Sequence, residues 1–112
     1  MRTNFQFQDQ NITMVRGDTV AFNVQILDQN QNPVTVDSAF LTCKKATNSG
    51  TIFQLYLAHG ITQSDGMIYV RIAPEDTRDA EEGNYFYDFQ IGVGEDVYTI
   101  MIGMLTIEQD VS

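Results

Sequence analysis

The chain has 112 residues, enough for one domain spanning 1–112 and too few for a second core. Six Lys and Arg against fifteen Asp and Glu leave a formal charge of −9, which repels phosphate backbones and anionic headgroups and argues against nucleic acid or membrane as partners. With 43% apolar and 19% charged residues the chain can bury a core, and its one Cys excludes an intrachain disulfide or a thiolate zinc site.

The opening residues Met1, Arg2, Thr3, Asn4, Phe5 and Gln6 form no apolar run of signal-peptide type, and no stretch of about 18 apolar residues follows. The expectation is a soluble protein made inside the cell. Phe5 and Phe7, then residues 12–15, predict one or two short strands. Arg16, Gly17 and Asp18 turn the chain into an alternating run that places Val20, Phe22, Val24 and Ile26 on one face and Ala21, Asn23 and Gln25 on the other. Residues 28–33, rich in Asn and ending in Pro33, turn it out again. Ala39, Leu41 and Cys43 then alternate with Phe40, Thr42 and Lys44. After a break at Ser49 and Gly50, Phe53, Leu55 and Leu57 align.

Residues 62–66 read as a polar turn before a strand with Ile68, Val70 and Ile72 inward. Residues 74–83 are too acidic for a strand, and Pro74 suits the first position of one short helical turn. The clearest strand follows, with Tyr85, Tyr87, Phe89, Ile91 and Val93 on one face. Gly94, Glu95 and Asp96 make a hairpin into a final strand over residues 97–107. In that strand Ile100 and Ile102 share one parity and Leu105 and Ile107 the other. Either a bulge at Gly103 absorbs one residue, or a partner covers both faces.

Short strands at regular spacing with a single helical turn predict an all-β, immunoglobulin-like β-sandwich of about seven to nine antiparallel strands. Its expected core contains Val20, Phe22, Val24, Ile26, Leu41, Val70, Tyr85, Tyr87, Phe89 and Ile91. Val24 and Tyr87 fall where antibody domains place their inter-sheet cysteines, so an apolar contact replaces the covalent link; the Trp that usually packs on it is absent.

Chemistry-bearing patterns are weak. Arg16, Gly17 and Asp18 spell an adhesion tripeptide but abut a strand, where turn chemistry explains them. Asn11, Ile12 and Thr13 form a glycosylation sequon with no secretion signal to use it. Asp28, Asn30 and Asn32 imitate the start of a calcium loop, with Pro33 where that loop needs Gly and Ala39 where it needs Glu. His59, the one histidine, has no identifiable nucleophile beside it, and Cys43 sits on the inward parity. Glu75, Asp76, Asp79, Glu81 and Glu82 share one loop, without the cleft that paired-acid chemistry requires. The reading is a non-enzyme with no catalytic, cofactor or metal residues.

The outward parity is richer. Phe40, Tyr56, Tyr69 and Phe86 point away from the expected core, with Met67, Met101 and Met104 as further candidates for an interface. The alternative use of such aromatics is carbohydrate stacking on Tyr56, Tyr69, Phe86 or Tyr98.

The motif order covers residues 13–111: Arg16-Gly17-Asp18-Thr19, the polar hairpin of residues 28–34, Asp37-Ser38-Ala39, Lys44-Lys45, Gly66-Met67-Ile68, Pro74-Glu75-Asp76-Thr77, Glu82-Gly83-Asn84-Tyr85-Phe86-Tyr87-Asp88, and Leu105-Thr106-Ile107. In this order the chain resembles the N-terminal immunoglobulin-like domain of phage baseplate upper proteins and related small structural proteins of tailed phages and prophages. The resemblance implies a virion structural role in a baseplate or tail accessory that scaffolds the host-adsorption apparatus. The implied partners are other tail proteins or further copies of the chain, and the implied location is the virion. It carries no catalytic residues with it.

Overall fold

A computed structural model of the chain describes residues 8–9, 11–45 and 50–109. In chain order they form β1 (Gln8–Asp9), β2 (Ile12–Val15), β3 (Val20–Gln25), β4 (Ser38–Lys44), β5 (Thr51–Leu57), β6 (Gly60–Ser64), β7 (Met67–Ile72), the single helical turn α1 (Pro74–Thr77), β8 (Gly83–Val93) and β9 (Asp96–Glu108). Hydrogen bonding runs along the path β1-β9-β8-β4-β5-β6-β7-β3, and β2 also pairs with β9.

The path bends at β5 and β6, which share only the pairs Tyr56 with Gly60 and Leu57 with Ile61. Ala58 (φ +76°) and Gly60 (φ +87°) make the corner. A Cβ on Gly60 would lie 2.8 Å from Leu55 Cδ2 and 3.2 Å from the Arg71 carbonyl, so only glycine lets the chain fold back this closely. Beyond the corner, β6-β7-β3 forms a smaller layer facing a larger one of β5-β4-β8-β9 with β1 and β2. Leu41, Leu55, Tyr87, Phe89 and Leu105 from the larger layer and Ile61, Ile68, Val70 and Ile72 from the smaller join one buried cluster. The order β3-β7-β6 against β4-β8-β9, with β5 added beside β4, makes this an immunoglobulin-like sandwich. Tyr85, at the start of β8, donates its hydroxyl to the Glu81 carbonyl at 2.5 Å, the tyrosine corner of such folds.

Several expectations need correction. Pairing is mixed rather than wholly antiparallel, because β1 and β2 run parallel to β9 and the β5–β6 contact is parallel. Residues 62–64 of the expected polar turn belong instead to β6 (Gly60–Ser64), and the turn shrinks to Asp65 and Gly66. In this short strand Ile61 alone is fully buried, so its sequence shows no clear alternation. Ile26, Leu41, Val70, Tyr85, Tyr87, Phe89 and Ile91 are buried as expected, whereas Val20, Phe22 and Val24 are only half-buried. They lie on β3, the last strand of the path, with one side unpaired among the described residues.

The conflict in the final strand is settled by a bulge placed earlier than Gly103. Phe89 pairs with Met101 and Gln90 with Thr99, leaving Ile100 as the extra residue, while Gly103 stays in register with Tyr87. Ile100 and Met101 are therefore both buried, and Ile102 turns outward. Phe5 and Phe7 lie outside the described residues.

Candidate functional site

The patterns that imitate known sites are absorbed by the fold. Gly17 (φ +83°) makes the turn after β2, and its amide donates to the buried hydroxyl of Thr77 at 2.9 Å. Arg16 donates Nη1 to the Ala80 carbonyl at 3.2 Å, so the tripeptide is tied to the α1 segment rather than carried on a loop tip. Asp28 is buried, and its Oδ1 accepts the amides of Asn30 (2.8 Å) and Asn32 (3.0 Å), which shapes the turn. Asn11 Oδ1 accepts the Met104 amide at 3.0 Å, between β1 and β2.

Two acids of the acidic loop have partners within the fold. Asp76 accepts the Ala73 amide at 2.7 Å at the start of α1, and Glu81 pairs with Lys45 at 3.4 Å on the surface. His59 stacks on Tyr56 with ring centres 4.9 Å apart. Its backbone and that of Tyr56 exchange hydrogen bonds across the corner at 2.8 and 2.9 Å. Cys43 is fully buried, and burial pushes its thiol up to about 12, which keeps it protonated and unreactive.

What remains is the outer face of the larger layer. Phe40, Tyr56, Phe86 and Ile102 stand between 40% and 45% exposed there. Their positions follow from register. Phe40 is paired with Tyr56 on β5 and Gln90 on β8. Phe86 is paired with Lys44 on β4 and Met104 on β9, and Ile102 with Asp88. The face thus holds a Phe40–Tyr56 pair at one end and a Phe86, Met104 and Ile102 group at the other. Four residues of β8 separate them, roughly 13 Å.

Between the two groups the polar side chains largely satisfy one another. Gln54 donates to Thr42 at 3.0 Å and Gln90 to Thr99 at 3.4 Å, leaving Lys44 and Asp88 as the charges. A shallow depression of about 230 Å³ runs past Thr42, Lys44, Phe86, Asp88 and Ile102. The arrangement suits a mixed protein surface, with apolar anchors set in a polar surround.

Comparison with family models finds no match, and neither does comparison with curated proteins. Among solved structures the chain is similar to the N-terminal Ig1-2 module of the Drosophila receptor protein tyrosine phosphatase DLAR, with 18% identity and a TM-score of 0.44. That alignment covers 94% of this chain and 47% of the other.

The outward residues expected from sequence do not form one surface. Phe40, Tyr56, Phe86 and the half-buried Met104 share the larger layer. Tyr69 and Met67 lie on β7, on the outside of the smaller layer. Met101 is buried, because the bulge at Ile100 turns it inward opposite Phe89. Tyr98 is half-buried and packs against the core, so it offers no open stacking platform. Ile102 was the residue missed: its parity becomes visible only once the bulge is located. Val97, 68% exposed at the start of β9, extends the same face and had no distinguishing signal in sequence.

Proposed function

We propose that the chain is a non-enzymatic structural protein of a phage or prophage virion, a baseplate or tail component. In this reading copies of the chain self-associate through the outer face of the larger layer, and that contact scaffolds further tail proteins. The observation that carries the assembly part is the exposure of Phe40, Tyr56, Phe86 and Ile102 on one face whose intervening polar groups are already paired. Fully burying a Phe contributes about 1.5–3 kcal/mol, so covering the exposed two-fifths of each such side chain contributes about 1 kcal/mol. The virion setting rests on the ordered motifs of residues 13–111 and their resemblance to baseplate domains.

Light scattering coupled to size exclusion tests the self-association. The expected result is a mass that rises above that of one chain between low and high micromolar concentration. Phe40→Ser with Phe86→Ser should abolish the rise. A strict monomer with no affinity for other tail proteins contradicts the reading.

A specific observation also favours a second reading, a carbohydrate- or surface-binding module. On the smaller layer a depression of about 550 Å³ is lined by Tyr69 with Asn23, Thr62 and Arg71. Tyr69 stands 47% exposed between Asn23 and Thr62 on the neighbouring strands. A glycan array on which the chain gives hits that Tyr69→Ala removes would favour this reading, and an array without hits removes it.

A further inference from the structure

The smaller layer differs in charge from the rest of the chain. β3, β6 and β7 contain no Asp or Glu, and Arg71 is their one charge. The acids nearest to them in sequence, Asp18 and Asp65, stand in the connections before β3 and β7. The chain has fifteen acids to offer. Arg71 is nonetheless exposed, and among the described residues it makes no ion pair or hydrogen bond.

Register places this guanidinium in the depression of about 550 Å³ on the outside of the layer. Ala21 is the cross-strand neighbour of Arg71 on β3, and Gly60 lines the depression from the corner, so no bulky side chain covers it. Two residues along the same face of β7, roughly 7 Å away, stands the half-exposed ring of Tyr69. Asn23 and Thr62 flank that ring from the neighbouring strands, and both are exposed. The depression thus combines one aromatic ring, one amide, one hydroxyl and one cation. A few polar groups set around an apolar platform are what a small ligand needs for orientation.

We propose that this depression takes a saccharide whose ring carries a carboxylate, a uronic-acid unit. The proposal rests on the carbohydrate-binding reading of the same surface and adds the charge of the ligand. The sugar ring lies on Tyr69, its hydroxyls meet Asn23 and Thr62, and its carboxylate accepts two N–H bonds from Arg71. A planar guanidinium matches a planar carboxylate with two parallel bonds, and such charge-assisted bonds are about twice as strong as neutral ones. One cation calls for one anionic group, which separates this ligand from a neutral sugar and from a densely sulfated chain. The formal charge of −9 does not oppose it strongly. Repulsion between exposed charges is screened over about 8 Å at physiological salt, whereas bonds made in contact with Arg71 are not. The site is separate from the outer face of the larger layer, so it stands or falls independently of the assembly contact.

Titration followed by NMR at the amides of Asn23, Thr62, Tyr69 and Arg71 tests the inference. The probes are oligomers of galacturonate, glucuronate and mannuronate, each beside its methyl ester, which keeps the ring and removes the charge. At least one acid should bind about 10-fold more tightly than its ester. Arg71→Gln should bring that acid down to the affinity of the ester and leave the ester unchanged, while Tyr69→Ala weakens both. Arg71→Lys keeps the charge but loses the planar fork, and should fall between wild type and Arg71→Gln. Equal affinity for acid and ester overturns the proposal and leaves the carbohydrate reading in place. Acid binding that Arg71→Gln does not weaken, or that Arg71→Lys retains in full, also overturns it. So does an absence of binding by every acid and ester, and the carbohydrate reading then falls with it only if the glycan array is also without hits.

Discussion

At the scale of single residues, stability depends on polar groups that the fold satisfies inside or beside the core. Tyr85 is buried and its hydroxyl is bonded to the Glu81 carbonyl, so Tyr85→Phe removes one hydrogen bond while keeping the ring. The expected cost is about 1–2 kcal/mol, measured by urea denaturation with an unchanged m-value. Cys43 makes a different prediction. Its folded thiol is raised from 9.0 to about 12, so below pH 9 the thiol is neutral in both states and contributes its full stability. As pH rises from 9 towards 12 the unfolded chain ionises first, and stability falls. Denaturation across that range should show a steeper loss for the wild type than for Cys43→Ala, and equal slopes would contradict the burial argument. An aromatic disulfide reagent at neutral pH should label Cys43 only after unfolding.

At the scale of elements, the turns hold the strands to their register. Gly66 (φ +79°) follows Asp65 (φ +53°) between β6 and β7, and a Cβ there would meet Pro33 Cβ at 2.4 Å. Its carbonyl also accepts the Ile26 amide at 3.0 Å, and Gln63 bridges the Val36 backbone with bonds of 3.0 and 2.8 Å. Gly66→Ala therefore combines an unfavourable φ with a backbone-anchored clash and should cost about 2–3 kcal/mol, visible as a lowered midpoint of thermal unfolding.

These same elements show what the sequence made legible. β3, β4, β7 and β8 alternate cleanly because each turns one face inward, and the helical turn announced itself through Pro74 and its acidic neighbours. β6 was hidden because a short strand with a single fully buried side chain has no period to detect. The bulge in β9 was sensed from the parity conflict but misplaced: glycine suggested Gly103, whereas register with β8 inserts the extra residue at Ile100. That error put Ile102 inside and Met101 outside, and so misdrew part of the candidate site.

At the scale of the whole molecule, the sandwich leaves two unequal surfaces. The core explains why Phe89, Leu41 and Ile68 are apolar. It gives no reason for Phe40, Tyr56, Phe86 and Ile102, which the proposed assembly role places in the contact between copies on the outer face of the larger layer. Sequence alone could name three of these four as outward, but only register shows that they share a face while Tyr69 does not. A chain with a formal charge of −9 also repels its copies, so association through this face should strengthen as added salt screens that charge. The most direct measurement is a concentration series of amide chemical shifts on the full chain. The account predicts shifts that move with concentration and cluster at the outward positions of β4, β5, β8 and β9, centred on Phe40, Tyr56, Phe86 and Ile102. Shifts that stay fixed to high micromolar concentration, or that gather on the β3 edge or around Tyr69, would contradict it.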